Sequence, residues 1–211
     1  RPFFNPLIVH LHCINQIEEY AELDKLSLSI AHQFMPGPLT LLLRKKDIIP
    51  DVVTSGLKHV AIRIPKHDLA LELLRNIPFP LAAPSANPFG YISPTTPEHV
   101  MKQLGEKIPY ILDGGACNKG IESTVIGFEN EEPIVYRLGA ISIEEIKKVY
   151  NKISIKNKTH TSLLAPGMLP YHYSPLTRLV LTQYPEEAAK DFIRTDVAII
   201  AFTKYIDNIP L

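Results

Sequence analysis

An apolar run at residues 79–83 breaks off into Pro84-Ser85-Ala86-Asn87-Pro88-Phe89-Gly90-Tyr91-Ile92-Ser93-Pro94-Thr95-Thr96, and no other feature constrains the chain as much. The run reads as a strand. The three prolines after it fix φ, remove backbone donors and press each preceding residue toward an extended conformation. The loop is therefore rigid, and it holds Ser85, Asn87 and Ser93, with their short polar side chains, at a strand end. Thr96 offers an N-cap with Pro97 at the first helical position, and Thr95 with Glu98 offers a second capping register. A rigid polar loop entering a helix N-terminus suits an anion such as phosphate. The same composition also serves plain strand-to-helix connectors.

The remaining elements support this loop. Residues 6–11 read as a buried strand, with His10 near its end as either a hydrogen-bonded core residue or a site residue. Residues 14–34 carry a helical pattern in two pieces: Ile17, Tyr20 and Ala21 form one stripe, and Leu26, Ile30 and Phe34 another. Pro36-Gly37-Pro38 stops the second piece, and a strand at 39–43 ends in Arg44-Lys45-Lys46, read as a solvated strand end. In residues 59–65, period-two alternation puts Val60, Ile62 and Ile64 on one face and Ala61 and Arg63 on the other. An Arg on so short an apolar strand either emerges into solvent or meets an anion. A helix is predicted over 67–75, another over 97–104, a strand at 110–112, a strand at 133–139 and a capped helix from Ser142. Asp113-Gly114-Gly115 would let the backbone turn tightly or approach a ligand. Residues 151–161 read as a linker, and 178–181, 186–194 and 197–202 as a βαβ unit.

Equal numbers of basic and acidic residues, 22 each, give no global field toward nucleic acid or membrane. Two cysteines, Cys13 and Cys117, are too few for a disulfide framework and lack metal-site spacing, which points to a reducing, cytoplasmic setting. His10-Leu11-His12 lacks a third ligand of matching spacing, so no residue is assigned to a metal. No apolar run approaches membrane-span length and no signal peptide is visible.

Four stretches together resemble one family. Pro84-Ser85-Ala86-Asn87-Pro88 resembles the Ser-x-Asn signature of the threonylcarbamoyl-adenylate synthases, the YrdC-like family. Asn5-Pro6-Leu7-Ile8-Val9-His10 is similar to that family's Asn-Pro-Leu-x-x-His, and Glu122-Ser123-Thr124-Val125 to its Glu-Ser-Thr-Val. Residues 165–175, with Pro166-Gly167-Met168 and His172-Tyr173-Ser174-Pro175, resemble a segment of the longer, two-domain synthases. The resemblance implies an α/β fold: a YrdC-like twisted mixed sheet with helices at 1–150, a linker or lid at 151–175, and the start of a small parallel α/β domain at 176–211.

It also implies a reaction in which L-threonine, bicarbonate and ATP, with Mg²⁺, yield threonylcarbamoyl-AMP and pyrophosphate for tRNA modification by separate transfer proteins. By resemblance His10, Arg63, Ala83 and Ser123 face threonine. Arg1, Asn5, His59, Ser85, Asn87, Ser93, Arg137 and Tyr173 face ATP, with Arg1 and Arg63 as the catalytic charges. Members place a Pro-Thr-Glu-Thr segment and a Lys before the residue matched to Arg1, so the 211 residues are expected to be an inactive fragment. Two other readings stand beside this one. Hydrogenase-maturation carbamoyltransferases share the domain but carry Cys clusters absent from this sequence. A non-catalytic RNA-binding module would need a basic, aromatic surface that zero net charge disfavours.

Overall fold

A computed structural model describes residues 5–156, 177–189 and 199–200. By contacts the chain divides into two compact units, residues 1–174 and 175–211.

The first unit is built on a seven-stranded mixed sheet of order β4-β1-β3-β2-β5-β6-β7. Its strands are β1 (Ile8–His10), β2 (Leu39–Arg44), β3 (His59–Arg63), β4 (Leu81–Ala83), β5 (Thr124–Glu129), β6 (Glu132–Arg137) and β7 (Ser154–Ile155). β1 runs parallel to β3, β2 parallel to β5, and β6 parallel to β7, while the other neighbours are antiparallel. The helices are α1 (Ile17–Tyr20, after a 3₁₀ turn at Ile14–Gln16), α2 (Lys25–Phe34), α3 (Asp51–Thr54), α4 (Asp68–Arg75), α5 (Pro97–Leu104) and α6 (Ile143–Val149).

Alternation along the strands splits the apolar residues into two layers. Val9, Val60, Ile62, Ile64, Leu41, Leu43 and Ile126 form the main core with Ile17, Ile30 and Ile146 of the helices. On the opposite face a smaller cluster gathers Leu42, Ala61, Val125 and Tyr136, with Ile8 and Ile134 packed against it. Burying apolar area on both faces is what lets β2, with four leucines among its six residues, sit at the sheet centre. The predicted alternation of residues 59–65 is what the sheet uses, so Arg63 emerges on the smaller face.

Local signals fix the helix ends. The Asp24 side chain caps α2 by accepting from Ser27 N at 2.7 Å. Ser142 caps α6, with its Oγ accepting from Glu145 N at 3.2 Å and Glu145 Oε2 accepting from Ser142 N at 2.9 Å. Removing that hydroxyl is expected to cost about 1 kcal/mol. Ser142→Ala should therefore lower the melting temperature by roughly 2–4 °C, read by thermal denaturation. Thr96 caps α5 with Pro97 behind it, as predicted, but Thr95 turns its hydroxyl and backbone N–H to His99 Nδ1, both at 3.3 Å, instead of opening a second register.

The structure corrects several expectations. Residues 110–112 form no strand. Tyr110 and Leu112 are exposed, and an apolar run of three with no partner strand supports no ladder. Residues after 150 are not all linker, because Ser154 and Ile155 pair with Ile134 and Val135 as β7. Lys156 at its end reaches Glu129 Oε1 and lies 5.1 Å from the Tyr136 ring centroid, and Tyr136 donates to Glu129 at 2.6 Å. Helix α3 follows Pro50 and is closed by Ser55, whose φ of 57° is left-handed, beside Gly56. Arg44 pairs with Glu22 at 3.5 Å and Lys45 with Asp51 at 3.2 Å, consistent with a solvated strand end.

In the second unit, α7 (Pro185–Ala189) matches the start of the expected helix. Residues 178–181 carry no strand and are exposed. The expected strand at 197–202 and the segment 165–175 lie outside the described residues, apart from 199–200.

Candidate functional site

Most of the described site residues expected from sequence share the smaller face of the sheet or the loop beside it. His59, Ala61 and Arg63 alternate onto that face, as do Ile8 and His10, and Ala83 lies opposite Ile8 in the β1–β4 ladder. They divide between the two ends of the strands.

At one end, His10 and Arg63 are register partners on parallel strands. His10 Nδ1 lies 3.3 Å from the Leu81 carbonyl, and a carbonyl only accepts, so Nδ1 carries the proton. Burial first, then the neighbouring Arg63 charge, pulls the His10 pKa down, which keeps the ring neutral near pH 7 and leaves Nε2 as an acceptor. Arg63 is half-buried and donates through Nε to the Gly37 carbonyl at 3.2 Å. That carbonyl is delivered by the Pro36-Gly37-Pro38 turn, whose Gly37 N–H bonds the Ile64 carbonyl at 2.9 Å. Among the described residues no carboxylate pairs with Arg63. Burial and the nearby Arg137 both lower its pKa, while Cys117 acts the other way.

Arg137, at the end of β6, donates to the Ser123 carbonyl from Nε at 3.1 Å and Nη2 at 2.7 Å, and to Ser123 Oγ from Nη2 at 3.0 Å. Ser123 is 1% exposed, and its Oγ is 2.7 Å from Thr40 Oγ1 on β2. Gly139 packs so tightly here that a Cβ on it would sit 2.4 Å from Ser123 C and 2.5 Å from Glu122 O and Thr124 N. The Arg63 guanidinium, with no carboxylate partner among the described residues, thus feels the charge of Arg137 and lies beside a neutral imidazole and a buried hydroxyl. Such a corner attracts an anion that presents several oxygens.

At the other end, His59 is exposed on β3, four residues from Arg63 and so about 13 Å along the strand. Burial and Arg44 lower its pKa. Asn5, 7% exposed, lies three residues before β1 on this side. The loop 84–96 also leaves β4 here, where Ala83 meets Ile8. Asn87 folds the loop by donating from Nδ2 to the Pro88 and Tyr91 carbonyls, both at 3.0 Å, and its buried Oδ1 has no partner among the described residues. The loop then returns toward the first end. Ser93 Oγ donates to Glu122 Oε1 at 2.5 Å, and Cys117 N–H bonds the Thr95 carbonyl at 2.8 Å. Ser85 is exposed at the loop's start. A single loop therefore joins both ends of the face. Arg1 and Tyr173 lie outside the described residues.

Sequence reasoning missed Thr40, Glu122 and His67. Thr40 was detectable as the one polar residue inside Leu39–Leu43. His67 caps α4 and holds the Gly114 carbonyl at 3.1 Å from Nε2, so the first glycine of the pair admits an imidazole rather than a ligand. Among the described residues no three His, Cys, Asp or Glu side chains gather into a metal-sized group. None of the described helices is long and apolar enough to cross a membrane.

The lowered His10 pKa has a sign that can be tested. Between the folded pKa and the ordinary 6.5, the unfolded chain binds the proton and the folded chain does not, so stability falls as pH drops through that window and is full above it. Melting temperatures from pH 8 to 5 are expected to decline below about pH 6.5, and His10→Gln to flatten the decline. An unchanged slope in that variant would assign the effect to His59, shifted in the same direction.

Known proteins resemble this chain over most of its length. The Sua5/YciO/YrdC family, described as "Telomere recombination", matches residues 1–139, and "Threonylcarbamoyl-AMP synthase, C-terminal domain" matches 141–208. The threonylcarbamoyl-AMP synthase of Pyrococcus abyssi is 39% identical over 203 residues, covering 94% of this chain and 60% of the relative. That of Bacillus subtilis is 39% identical, covering 92% and 58%. The chain thus spans about 60% of the length of these relatives. The crystal structure of P. abyssi Sua5 complexed with L-threonine superposes with a TM-score of 0.79 at 43% identity, covering 83% of this chain and 53% of that one. Escherichia coli YciO, at 20% identity and a TM-score of 0.61, shares the fold. With its mixed sheet, its proline-ruled loop and its match over residues 1–139, the chain belongs to the Sua5/YciO/YrdC family.

Proposed function

We propose that the full-length protein is an L-threonylcarbamoyladenylate synthase, a nucleotidyltransferase acting on L-threonine, bicarbonate and ATP. The observation that carries this reading is Arg63, half-buried, facing Arg137, and without a carboxylate partner among the described residues. A charge held so, beside a neutral His10, fits an amino acid whose carboxylate takes the guanidinium fork. The His10 Nε2 acceptor suits that ligand's hydroxyl or ammonium hydrogen.

Chemically, the threonine amine takes up bicarbonate with loss of water to give N-carboxythreonine. One carbamate oxygen then forms a bond to the α-phosphorus of ATP, and the bond from that phosphorus to the bridging oxygen breaks, releasing pyrophosphate. One anion attacks another, so the protein's task is positioning and neutralisation of charge rather than covalent chemistry. On this reading His10, Arg63, Ala83 and Ser123 hold threonine. Arg137, Asn5, Ser85, Asn87 and Ser93, with Arg1, His59 and Tyr173, serve the nucleotide. The loop that joins the two ends of the face suits a pair of substrates laid end to end. Mg²⁺ would enter with the triphosphate as part of the substrate, held mainly by phosphate oxygens.

We read the catalytic domain as running through β7, with the stretch between β7 and residue 175 as linker or lid and 176–211 as the beginning of a further domain. The setting is cytoplasmic, and the product passes to separate tRNA-modifying proteins. Pyrophosphate release by the full-length protein should depend on both threonine and bicarbonate, with ¹³C-bicarbonate appearing in an adenylate of the corresponding mass. ATP turnover indifferent to threonine would overturn the reading.

A further inference from the structure

Thr40 is the odd residue of β2. It is fully buried between Leu39 and Leu41 and points onto the smaller face, one step beyond the Leu41–Ile62 pair, where β3 continues to Arg63. Among the described residues its hydroxyl bonds only Ser123 Oγ, at 2.7 Å. A buried hydroxyl whose hydrogen finds no acceptor costs free energy, and among the described residues Ser123 Oγ is the one acceptor Thr40 has. Thr40 therefore donates and Ser123 accepts.

Ser123 Oγ accepts a second hydrogen bond from Arg137 Nη2, at 3.0 Å. With both lone-pair sites occupied, the Ser123 hydroxyl has only its own hydrogen left to offer. The described residues supply no acceptor for that hydrogen.

We propose that Thr40 is a positioning residue that fixes the Ser123 hydroxyl as a hydrogen-bond donor toward the bound amino acid. Resting on the threonine reading above, this makes Ser123 a donor to a carboxylate or carbamate oxygen and not an acceptor from the ammonium. Thr40 touches no substrate. It acts through Ser123, while Arg137 remains anchored by its two bonds to the Ser123 carbonyl.

The test uses the full-length protein and calorimetric titration with L-threonine and, separately, with ATP. Thr40→Val keeps the branched shape and loses the hydroxyl. Threonine affinity is expected to fall about tenfold, roughly what one hydrogen bond contributes, with ATP affinity within about twofold. Thr40→Ser, which restores the donor, should return threonine affinity to within about twofold of the unmodified protein. In a Ser123→Ala background, Thr40→Val should cause no further loss.

Should the valine variant not fold, Thr40→Ala removes the same hydroxyl without new bulk and is titrated in the same way. Equal loss in Thr40→Val and Thr40→Ser, equal loss for both ligands, or a full additional loss in the Ser123→Ala background would overturn the proposal and reduce Thr40 to packing. Absence of threonine binding in the unmodified protein would instead sink the threonine reading and the proposal together.

Discussion

Replacing Arg63 by alanine in the full-length protein is expected to weaken L-threonine binding by about two orders of magnitude and to leave ATP binding nearly unchanged. Losing a bidentate charged contact removes a few kcal/mol, and every 1.4 kcal/mol is about tenfold in affinity. The expectation rests on position. Arg63 stands beside His10 at one end of the smaller face, its Nε is spent on the Gly37 carbonyl, and its outer nitrogens have no acidic partner among the described residues. Arg63→Lys should fall between the two, because an ammonium keeps the charge and loses the fork. Equal loss for threonine and ATP would mean that Arg63 serves the phosphates or the fold. Titration of both ligands decides.

The second large effect concerns a residue with no side chain. A Cβ at Gly139 would meet three backbone atoms of residues 122–124 at 2.4–2.5 Å, and backbone yields far less readily than the tip of a flexible side chain. The same contact holds the Ala140 N–H on the Glu122 carbonyl at 2.9 Å and keeps the end of β6 against Ser123. Gly139→Ala is expected to cost about 3 kcal/mol, the upper part of the range for overpacking, and to lower the melting temperature by roughly 10 °C. Gly120→Ala, where nothing lies within 4 Å, should leave the melting temperature unchanged. Similar melting curves for the two variants would show that the 122–124 segment moves aside freely.

What could be read in the sequence was what local chemistry determines. The stop at Pro36-Gly37-Pro38, the Ser142 and Thr96 caps and the alternation of residues 59–65 all follow from backbone preference and period, and each recurs in the fold. The strands at 110–112 and 178–181 failed for the opposite reason. A strand exists only by pairing, and a short apolar run does not announce its partner. β7 was hidden in a polar stretch because its two residues are held by β6 and by the Lys156–Glu129–Tyr136 contacts, which join positions far apart in sequence.

The site followed the same division. The position of Arg63 at a strand end followed from the alternation of residues 59–65 and the place of the 84–96 loop from its prolines, while their roles came from the family resemblance. The meeting of Thr40, Ser123 and Arg137 was not, because it depends on β5 lying between β2 and β6. Gly114 shows the limit of motif reasoning. A paired glycine does mark a close approach, but the approaching group is the His67 ring.

The central claim is that the end of the sheet carrying His10, Arg63, Ser123 and Arg137 receives the amino acid. Arginine Nε–H resonances of the isotopically labelled full-length protein test it most directly, recorded while L-threonine is added. The Arg63 resonance should move saturably with threonine, accompanied by a smaller shift at Arg137, while Arg44, at the far end of β2 in its pair with Glu22, stays fixed. Saturable shifts at Arg44 with Arg63 unmoved would place the amino acid at the other end of the face and contradict the account.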